Sequence, residues 1–438
     1  MSDNNQTEAV RAPEESVRAA WQAAGLDTGA LQSLRAAALA EFTRSGFPTT
    51  KQESWKYTNV RRVAETLPGW LNHPVETADA PEGKPLEVEN AIRIVLVDGV
   101  FAADLSDTAE LPPGVLLADL AELQAQSPDR LSRLGELANP ADSGFVALNG
   151  AFAGNGVALL VDDNLTLEQP VFISYRSSQH ESVAQPRLLA ELGRNASATI
   201  VEHYCSDVHT IVNPVAELFC AAGSQLTYYK LQDEDQRSWH MAAQYAAVAE
   251  NATLRTTHVD VGGALARNEL KVNLQGRGAH AETRGLFMTD DKRHVEARLD
   301  VNHLAPDTTS RERYRGILAG LGKGVFNGRI YVHQDAQKTA AELTNRNLLL
   351  SKGAEINTKP ELEIYADDVK CAHGSTTGQL DSQSMFYLLT RGVDPVTARN
   401  MLITAFASEL LVDITVPAIA ERARAALESL RPDENNDG

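Results

Sequence analysis

The segment NASATIVE (195–202) has three counterparts further along the sequence: GSQLTYYK (223–230), NATLRTTH (251–258) and GAHAETRG (278–285). Each begins with Asn or Gly, the residues that best tolerate a left-handed backbone at a corner, and a strand-like run follows. Successive segments begin 28, 28 and 27 residues apart. A constant period of this length is typical of a solenoid, in which each repeat stacks on the previous one. The pattern therefore predicts a mainly β chain with a parallel β-helix core.

The repeat is expected to resume after an irregular insertion, at Gly324 and then at Gly353, which are 29 residues apart. A β-sandwich is the alternative fold, since it also explains strand-like runs such as VALLV (157–161) and RIYVH (329–333). A sandwich gives no reason for a constant spacing, so the period favours the β-helix.

Helical patterns occupy the N-terminal part of the chain. Apolar residues recur at three- and four-residue spacing between Glu14 and Gly46, which is the period of an amphipathic helix. The strand-like run IRIVLVD (92–98) follows. Two further short helices are predicted in VLLADLAELQAQ (115–126) and DRLSRLGELAN (129–139). Helices in this part could cover one end of the solenoid.

Helical patterns return after the strand-rich segment. Asp394 is placed as an N-cap with Pro395 at the first helical position, and Pro417 separates this helix from the next. The chain is therefore divided into a disordered start (1–13), an N-terminal helical region (14–80), a β-helix core with short helices near its start (81–377), a C-terminal helical region (378–430) and a disordered tail (431–438).

Composition excludes several classes of function. The net charge of −19 would repel nucleic acid and anionic membranes. The sequence contains no run of 18 apolar residues, so no membrane span is expected. The polar, acidic start MSDNNQTEAVRAPEES (1–16) does not resemble a signal or transit peptide, which predicts a cytoplasmic protein.

The three cysteines, Cys205, Cys220 and Cys371, include no CxxC pair, which argues against a disulfide framework or a structural zinc site. Cys205 and Cys220 are expected to be small buried residues. Six histidines lie in or near strand-like runs, and each is expected to be a surface residue or a hydrogen-bonded core residue: His203, His258, His280, His294, His303 and His333.

The glycine-rich stretch GILAGLGKG (316–324) is similar to a phosphate-binding loop but departs from its pattern. Five residues rather than four separate Gly316 from Gly322, and Gly324 stands where a magnesium-binding Ser or Thr is required. The chain is therefore not expected to hydrolyse ATP by itself.

Chemistry-bearing residues are concentrated in YADDVKCAHG (365–374). If the strand LEIYADDVK (362–370) extends to Cys371 and His373, these two residues project from the same face. Thiolate and imidazole are ligands that suit iron and iron–sulfur chemistry, but two ligands cannot complete a site, so the remainder would come from elsewhere. Gly374 is expected to let the chain leave sharply, which would keep the pair near an edge. The alternative is a terminal strand whose cysteine packs and whose histidine is solvated.

Four long stretches resemble the SufB/SufD family, components of the SUF iron–sulfur cluster assembly machinery. They are KPELEIYADDVKCAHGSTTGQLD (359–381), the segment 303–351, FVALNGAFAGNGVALLV (145–161) and FPTTKQESWKYTNV (47–60). The last of these is similar to the SufD branch of the family rather than to the SufB branch. The resemblance extends over nearly the whole chain.

This resemblance implies a right-handed parallel β-helix between helical termini, in a non-enzymatic scaffold subunit of a SufBC2D complex with SufB and the ATPase SufC. It places His373 at the family's cluster-assembly histidine, at the interface with SufB, and Cys371 at the signature cysteine. A nascent cluster or iron would be shared with SufB. The resemblance allows a reduced flavin in the complex and a homodimer of the isolated chain, with no cofactor tightly bound to that chain.

In the family, the C-terminal helical region docks SufC. The apolar residues expected to form that surface here are Met401, Leu402, Ala405, Phe406 and Leu410.

Two other functions stay open. A β-helix could act on polysaccharides, with Asp367 and Asp368 as catalytic carboxylates, but neighbouring residues on a strand point to opposite faces and make a poor pair. The chain could also be a purely structural subunit without a ligand.

Overall fold

The computed structural model describes residues 13–71, 85–107 and 111–430. The disorder expected for the two termini lies outside these residues, except that Pro13 is the first residue of a helix. The end of the predicted N-terminal region, 72–80, also lies outside them.

The described residues form eight α-helices, interspersed with short 3-10 segments. The helices are α1 (Pro13–Ala23), α2 (Gln32–Ser45), α3 (Arg61–Trp70), α4 (Leu120–Gln126), α5 (Gly144–Ala151), α6 (Ser382–Thr390), α7 (Pro395–Leu411) and α8 (Pro417–Ser429). The 3-10 segments are Glu53–Trp55, Ala103–Leu105, Pro128–Leu131 and Pro140–Asp142.

The same residues form 21 strands, most of them in the segment between α5 and α6. The strands are β1 (Ile92–Val97), β2 (Val100–Phe101), β3 (Val115–Asp119), β4 (Gly156–Val161), β5 (Val171–Ser177), β6 (Ser182–Ala184), β7 (Arg187–Leu192), β8 (Ser197–Ser206), β9 (Thr210–Val212), β10 (Val215–Cys220), β11 (Gln225–Asp233), β12 (Trp239–Val248), β13 (Thr253–Asp260), β14 (Leu265–Leu274), β15 (His280–Thr289), β16 (His294–His303), β17 (Thr309–Leu318), β18 (Lys323–Val332), β19 (Ala340–Leu349), β20 (Glu355–Ile364) and β21 (Lys370–Gly378).

These strands build a parallel β-solenoid of about eight turns, which confirms the predicted fold class. A ten-stranded sheet has the order β2-β1-β5-β8-β11-β13-β15-β17-β19-β21. An eleven-stranded sheet has the order β20-β18-β16-β14-β12-β10-β7-β4-β3, with β6 and β9 beside it. Only the pairs β1–β2 and β3–β4 are antiparallel among the described strands. Strands that follow one another along the chain mostly alternate between the two sheets. Each turn of the solenoid therefore adds one strand to each sheet.

The four residues that open the repeated segments all occupy the left-handed region, with φ between 54° and 71°: Asn195, Gly223, Asn251 and Gly278. Each donates its backbone N–H to a carbonyl of the next turn, for example Asn195 to Ala222 at 2.9 Å. Stacked corners with this one geometry explain the constant period, since each turn must bend at the same height.

The expected continuation of this series is wrong. Gly324 lies inside β18, and Gly353 lies in the turn before β20. The next corners are Asp307 (φ 58°) and Lys338 (φ 62°), whose N–H groups bond to Gln337 and Asp368 of the following turns. The sequence pattern missed them because Asp and Lys can take this backbone conformation without being typical of it.

The interior of the solenoid is filled by inward-facing apolar residues such as Leu226, Leu254 and Phe326. Helices cover both outer faces. The N-terminal helices and α5 pack over the eleven-stranded sheet through residues such as Phe42 and Phe145 against Met241. Helices α7 and α8 pack over the ten-stranded sheet.

Two of the predicted helices are only partly present. Residues 115–119 form strand β3, which pairs with β4, and α4 begins only at Leu120. The segment 129–139 contains one 3-10 segment followed by turns. Pairing with a neighbouring strand, which cannot be read from local periodicity, favours the extended form of 115–119.

The motif FPTTKQESWKYTNV attaches the N-terminal helices to the solenoid. The guanidinium of Arg267 lies 3.7 Å from the centre of the Trp55 ring and also pairs with the buried Glu296. Thr58 donates to Glu296 and lies 2.8 Å from Nε2 of His294. These contacts give this polar-looking segment a structural role.

Candidate functional site

The terminal turn of the solenoid consists of β20, the loop 365–369 and β21. β20 and β21 are the last strands of their sheets, so each lacks a neighbour on its outer side among the described residues. Side chains of β21 are almost all exposed. The open end of the β-helix is therefore formed by two unpaired strand edges, the kind of surface on which another chain can add a strand.

Cys371 and His373 lie on the same side of β21. Cys371 is in register with Ala341 of β19, and His373 is in register with Leu343. Ala341 and Leu343 both belong to the interior core, so the Cys371–His373 pair faces the axis of the solenoid. The predicted common face is correct.

Two details of that prediction are wrong. The strand LEIYADDVK does not continue to Cys371, because β20 ends at Ile364 and β21 belongs to the other sheet. Gly374 does not end the strand, since β21 extends to Gly378. The pair lies at an edge because β21 is the last strand of its sheet.

The two side chains differ in environment. Cys371 is partly buried against the interior core, and this burial raises the pKa of its thiol above the ordinary value. Its outer side lines an open groove of about 540 Å³ together with Arg311, Glu342 and Lys370. His373 is exposed. A partner approaching the open end would meet the imidazole first.

No group of three or more His, Cys, Asp or Glu residues that could hold a metal ion occurs in the part of the chain that is described. Cys371 and His373 provide donor types that iron accepts, but two ligands do not complete an iron or cluster site.

The other cysteines lie in the predicted environments. Cys205 and Cys220 are buried, and burial raises the pKa of each thiol to about 12.

Most of the other histidines are also accounted for by packing. His203, His294 and His303 are hydrogen-bonded inside the protein, and burial lowers the pKa of each to about 3 or 4. His258 is equally buried, but its Nε2 has no hydrogen-bond partner within the described part of the chain. At neutral pH these imidazoles are uncharged core groups.

Asp367 and Asp368 were expected at neighbouring positions of a strand, and this expectation is wrong. Both lie in the exposed loop of the terminal turn rather than on a strand. The backbone of Asp368 is held by Lys338 and by Oε1 of Gln337, at 2.6 and 2.9 Å. Their role in this structure is to shape the last corner.

The proposed docking residues divide between two faces of α7. Met401 and Ala405 are exposed, whereas Leu402 and Phe406 are half-buried. Leu410 is only 2% exposed and packs with α8 against the ten-stranded sheet, so it is not available for docking. Helix α7 has a second apolar stripe, Ile403, Ala407 and Leu411, and the sequence could not decide which stripe would face inward.

The predicted N-cap is present, since Asp394 accepts from the N–H of Thr397 at 3.0 Å.

Sequence reasoning missed Glu312, which lies under the terminal turn in the column Glu312, Leu343, His373. Its side chain is fully buried, and neither carboxylate oxygen has a hydrogen-bond partner among the described residues. Burial raises the pKa of Glu312 to about 8. The sequence feature that could have identified Glu312 is the alternation in SRERYRG (310–316). This alternation places Glu312 on the face opposite its arginine neighbours.

The Glu312 carboxyl predicts a stability that depends on pH. The folded protein keeps its proton up to about pH 8, whereas an unfolded chain loses it above about pH 4.3. The carboxyl therefore destabilises the fold progressively between these values. Glu312→Gln should raise the free energy of unfolding by roughly 5 kcal/mol at pH 9 and by little at pH 4.5.

The measurement is urea unfolding of both proteins across this pH range. Glu342→Gln, which changes an exposed carboxylate on the next strand, is the matched control and should show no such trend. The raised pKa of Glu312 would be contradicted if the free energies of unfolding of Glu312→Gln and the unmodified chain differed by the same amount at both ends of the pH range.

Comparison with known proteins agrees with this geometry. The family described as "SUF system FeS cluster assembly, SufBD core domain" matches residues 175–406, and "SufBD protein N-terminal region" matches residues 24–173. The chain belongs to the SufBD family. The core match contains nearly the whole solenoid, including the terminal turn with Cys371 and His373.

Relatives within the SufBD family cover most of the chain. It is 32% identical over 384 residues to the iron-sulfur cluster assembly protein SufD of Escherichia coli, which covers 85% of this chain and 86% of that protein. It is 29% identical over 394 residues to a SufBD family protein of Synechocystis, with 86% of each covered. Identity to SufB of Bacillus subtilis is 23% over 288 residues, covering 65% and 62%. This chain is therefore a SufD homologue of the iron–sulfur cluster assembly family.

No helix of the described residues is long and apolar enough to cross a membrane.

Proposed function

We propose that this chain is a scaffold subunit of a SufBC2D complex, in which an iron–sulfur cluster is assembled at the interface with SufB. The observation that carries the proposal is the Cys371–His373 pair, which faces the solenoid axis on a terminal strand without an outer neighbour. On this proposal the chain hydrolyses no ATP, and SufC supplies that activity.

The pair fits a growing cluster as substrate. An imidazole binds iron through the ring nitrogen that carries no hydrogen, and the exposed ring of His373 is free to do so. The thiol of Cys371 is partly buried and has a raised pKa, so it is the weaker ligand before metal arrives. Thiolates of SufB would complete the coordination.

The open end offers a surface for SufB. Its inward-facing residues Ile356 and Leu362 are only partly covered by the interior core, and Ile364 and Tyr365 beside them are exposed. Apolar side chains next to unpaired strand edges are stabilised when a second chain covers them. An interface at this end would bring SufB ligands to His373.

The exposed apolar residues of the C-terminal helices support docking of SufC there. Phe386 and Tyr387 of α6 and Met401 of α7 are 68%, 57% and 49% exposed, and no residue of α6 is buried. By contrast, α7 and α8 cover a large apolar face of the solenoid. Removing residues 378–438 would uncover that face, so point variants test SufC binding more cleanly than this deletion.

Phe386→Ser combined with Met401→Ser is expected to weaken SufC binding by at least about tenfold, because exposed aromatic and apolar anchors dominate such interfaces. Pull-down and titration with purified SufC measure the effect. Leu321→Ser, an exposed apolar change in the turn after β17, is the matched control and should bind normally. Unchanged SufC affinity of the double variant, with its fold intact, would refute this docking surface.

Co-expression with SufB and SufC tests the proposal as a whole. The three proteins should purify as one complex, and anaerobic reconstitution should give iron and sulfide bound to it. A chain that purifies without either partner would rule the proposal out.

A further inference from the structure

A cationic pocket lies on the outer face of the ten-stranded sheet, between helix α7 and the terminal strand. It has a volume of about 100 Å³. Its walls include the side chains of Arg311, Arg313, Arg315 and Arg346, with Thr344 and Glu409 among the other lining residues. None of the functional assignments above uses this pocket.

Strand alternation and register build the pocket. Arg311, Arg313 and Arg315 occupy alternate positions of β17, so they share its outer face, while Glu312 and Tyr314 point inward. Arg346 of β19 is in register with Arg315, and Thr344 is in register with Arg313. Three arginines from one strand and a fourth from the next therefore line the same pocket.

The acidic neighbours leave much of this hydrogen-bonding capacity unused. Arg313 donates to Asp413 at 2.9 Å, and Arg315 donates to Glu409. Arg311 and Arg346 approach carboxylates only at 3.8 and 3.9 Å, too far for a direct hydrogen bond.

The buried Nε of Arg313 also has no hydrogen-bond partner among the described residues. Each guanidinium carries five N–H donors in a fixed planar arrangement, so the hydrogen bonds made among the described residues use only part of the donors around the pocket.

The pocket also holds its charges in place. Arg315 has only 7% of its side chain exposed, and its guanidinium lies 4.9 Å from the Phe406 ring of α7. Four arginines converge here in a chain whose net charge is −19, so repulsion between them must be offset locally. Glu409 of α7, Asp413 just after that helix and Glu342 of β19 do this in part, and an anion would complete it.

We propose that this pocket binds a phosphate group. Planar guanidiniums bind the tetrahedral oxygens of phosphate through paired hydrogen bonds, and a pocket of about 100 Å³ is the size of one such group rather than of an extended acidic segment. Arg311 and Arg346 are the proposed binding residues, whereas Arg313 is held by Asp413 and Arg315 by Glu409. The phosphate could be inorganic or part of a nucleotide, and the proposal does not depend on cluster assembly.

Isothermal titration calorimetry of the full chain with inorganic phosphate and, separately, with ADP tests the proposal at constant ionic strength. Arg311→Gln combined with Arg346→Gln should weaken binding at least about tenfold, because each change removes charged donors. Both residues are about half exposed, so the fold should persist. The control is Arg194→Gln combined with Arg277→Gln, two exposed arginines elsewhere with the same change in net charge.

Binding of both ligands, lost only in the pocket variant, would identify a site for free phosphate. Binding of ADP alone, with the same loss, would identify a site for a nucleotide's phosphate. If neither ligand binds the unmodified chain, or if both double variants bind alike, the pocket is not a phosphate site. The first of these failures would favour an acidic segment of a partner protein as its occupant.

Discussion

His373→Ala is expected to abolish cluster maturation while the complex with SufB and SufC still assembles. The imidazole is exposed at the end of the solenoid and contributes nothing to the interior core, so its removal should leave the fold intact. It does remove a nitrogen ligand from the strand that faces the proposed SufB interface. Loss of one ligand from a site completed between two chains should prevent stable cluster formation.

Complementation in cells that depend on the SUF pathway measures this effect, together with iron and sulfide content of the purified complex. His333→Ala, a change to another partly exposed histidine near the last turns, is the matched control and should be fully active. We expect Cys371→Ala to reduce activity less than His373→Ala, and Cys220→Ala least. A fully active His373→Ala variant would mean that the terminal turn is a structural end without a ligand role.

Glu217→Leu is expected to lower the free energy of unfolding by roughly 3–5 kcal/mol, which is the usual cost of removing one partner of a buried ion pair. The Glu217 carboxylate is fully buried and accepts from the backbone N–H groups of Gly135, Leu137 and Ala138 at 2.7–3.1 Å. It also pairs with Arg187 at 3.2 Å, and both side chains are 1% exposed. Leucine would leave three backbone donors without an acceptor and the buried Arg187 cation without its carboxylate partner.

Urea unfolding measures this loss, and Glu191→Gln is the matched control. Glu191 lies on the neighbouring strand, but it is partly exposed and, among the described residues, its ion-pair contact is with Arg133 at 3.9 Å. We expect the control to change stability by less than about 1 kcal/mol. If Glu217→Leu also changed the free energy of unfolding by less than about 1 kcal/mol, the carboxylate would not be what holds the 135–138 segment to the sheet.

Several features could be predicted because they depend on local rules. Asn or Gly corners at a constant spacing, each followed by a strand-like run, identified the solenoid, and four such corners have the expected left-handed backbone. The Asp394–Pro395 pair correctly marked the start of α7. The shared face of Cys371 and His373 followed from strand alternation alone. The two residues lie on β21, however, and not on an extension of the strand that contains Leu362.

Other features depended on which segments stack beside each other. Leu410 looked like its exposed neighbours in α7 but is buried, since one of two apolar stripes on that helix had to face the sheet. Glu312 looked like part of a charged surface run but faces the interior. No local pattern distinguishes these environments, because they are set by strands and helices distant in sequence.

The amino-acid sequence by itself determined the repeat, the turn geometry and the alternation that puts thiol and imidazole on one face. Only the tertiary structure decided that β21 is the last strand of its sheet, that Glu312 is buried beneath it, and that Arg346 joins Arg311 around one pocket. Backbone preferences and side-chain alternation act over a few residues, so they can be read along the chain. Edges, burial and convergent charges arise from contacts between turns about thirty residues apart, and their free energies exist only once those turns have stacked.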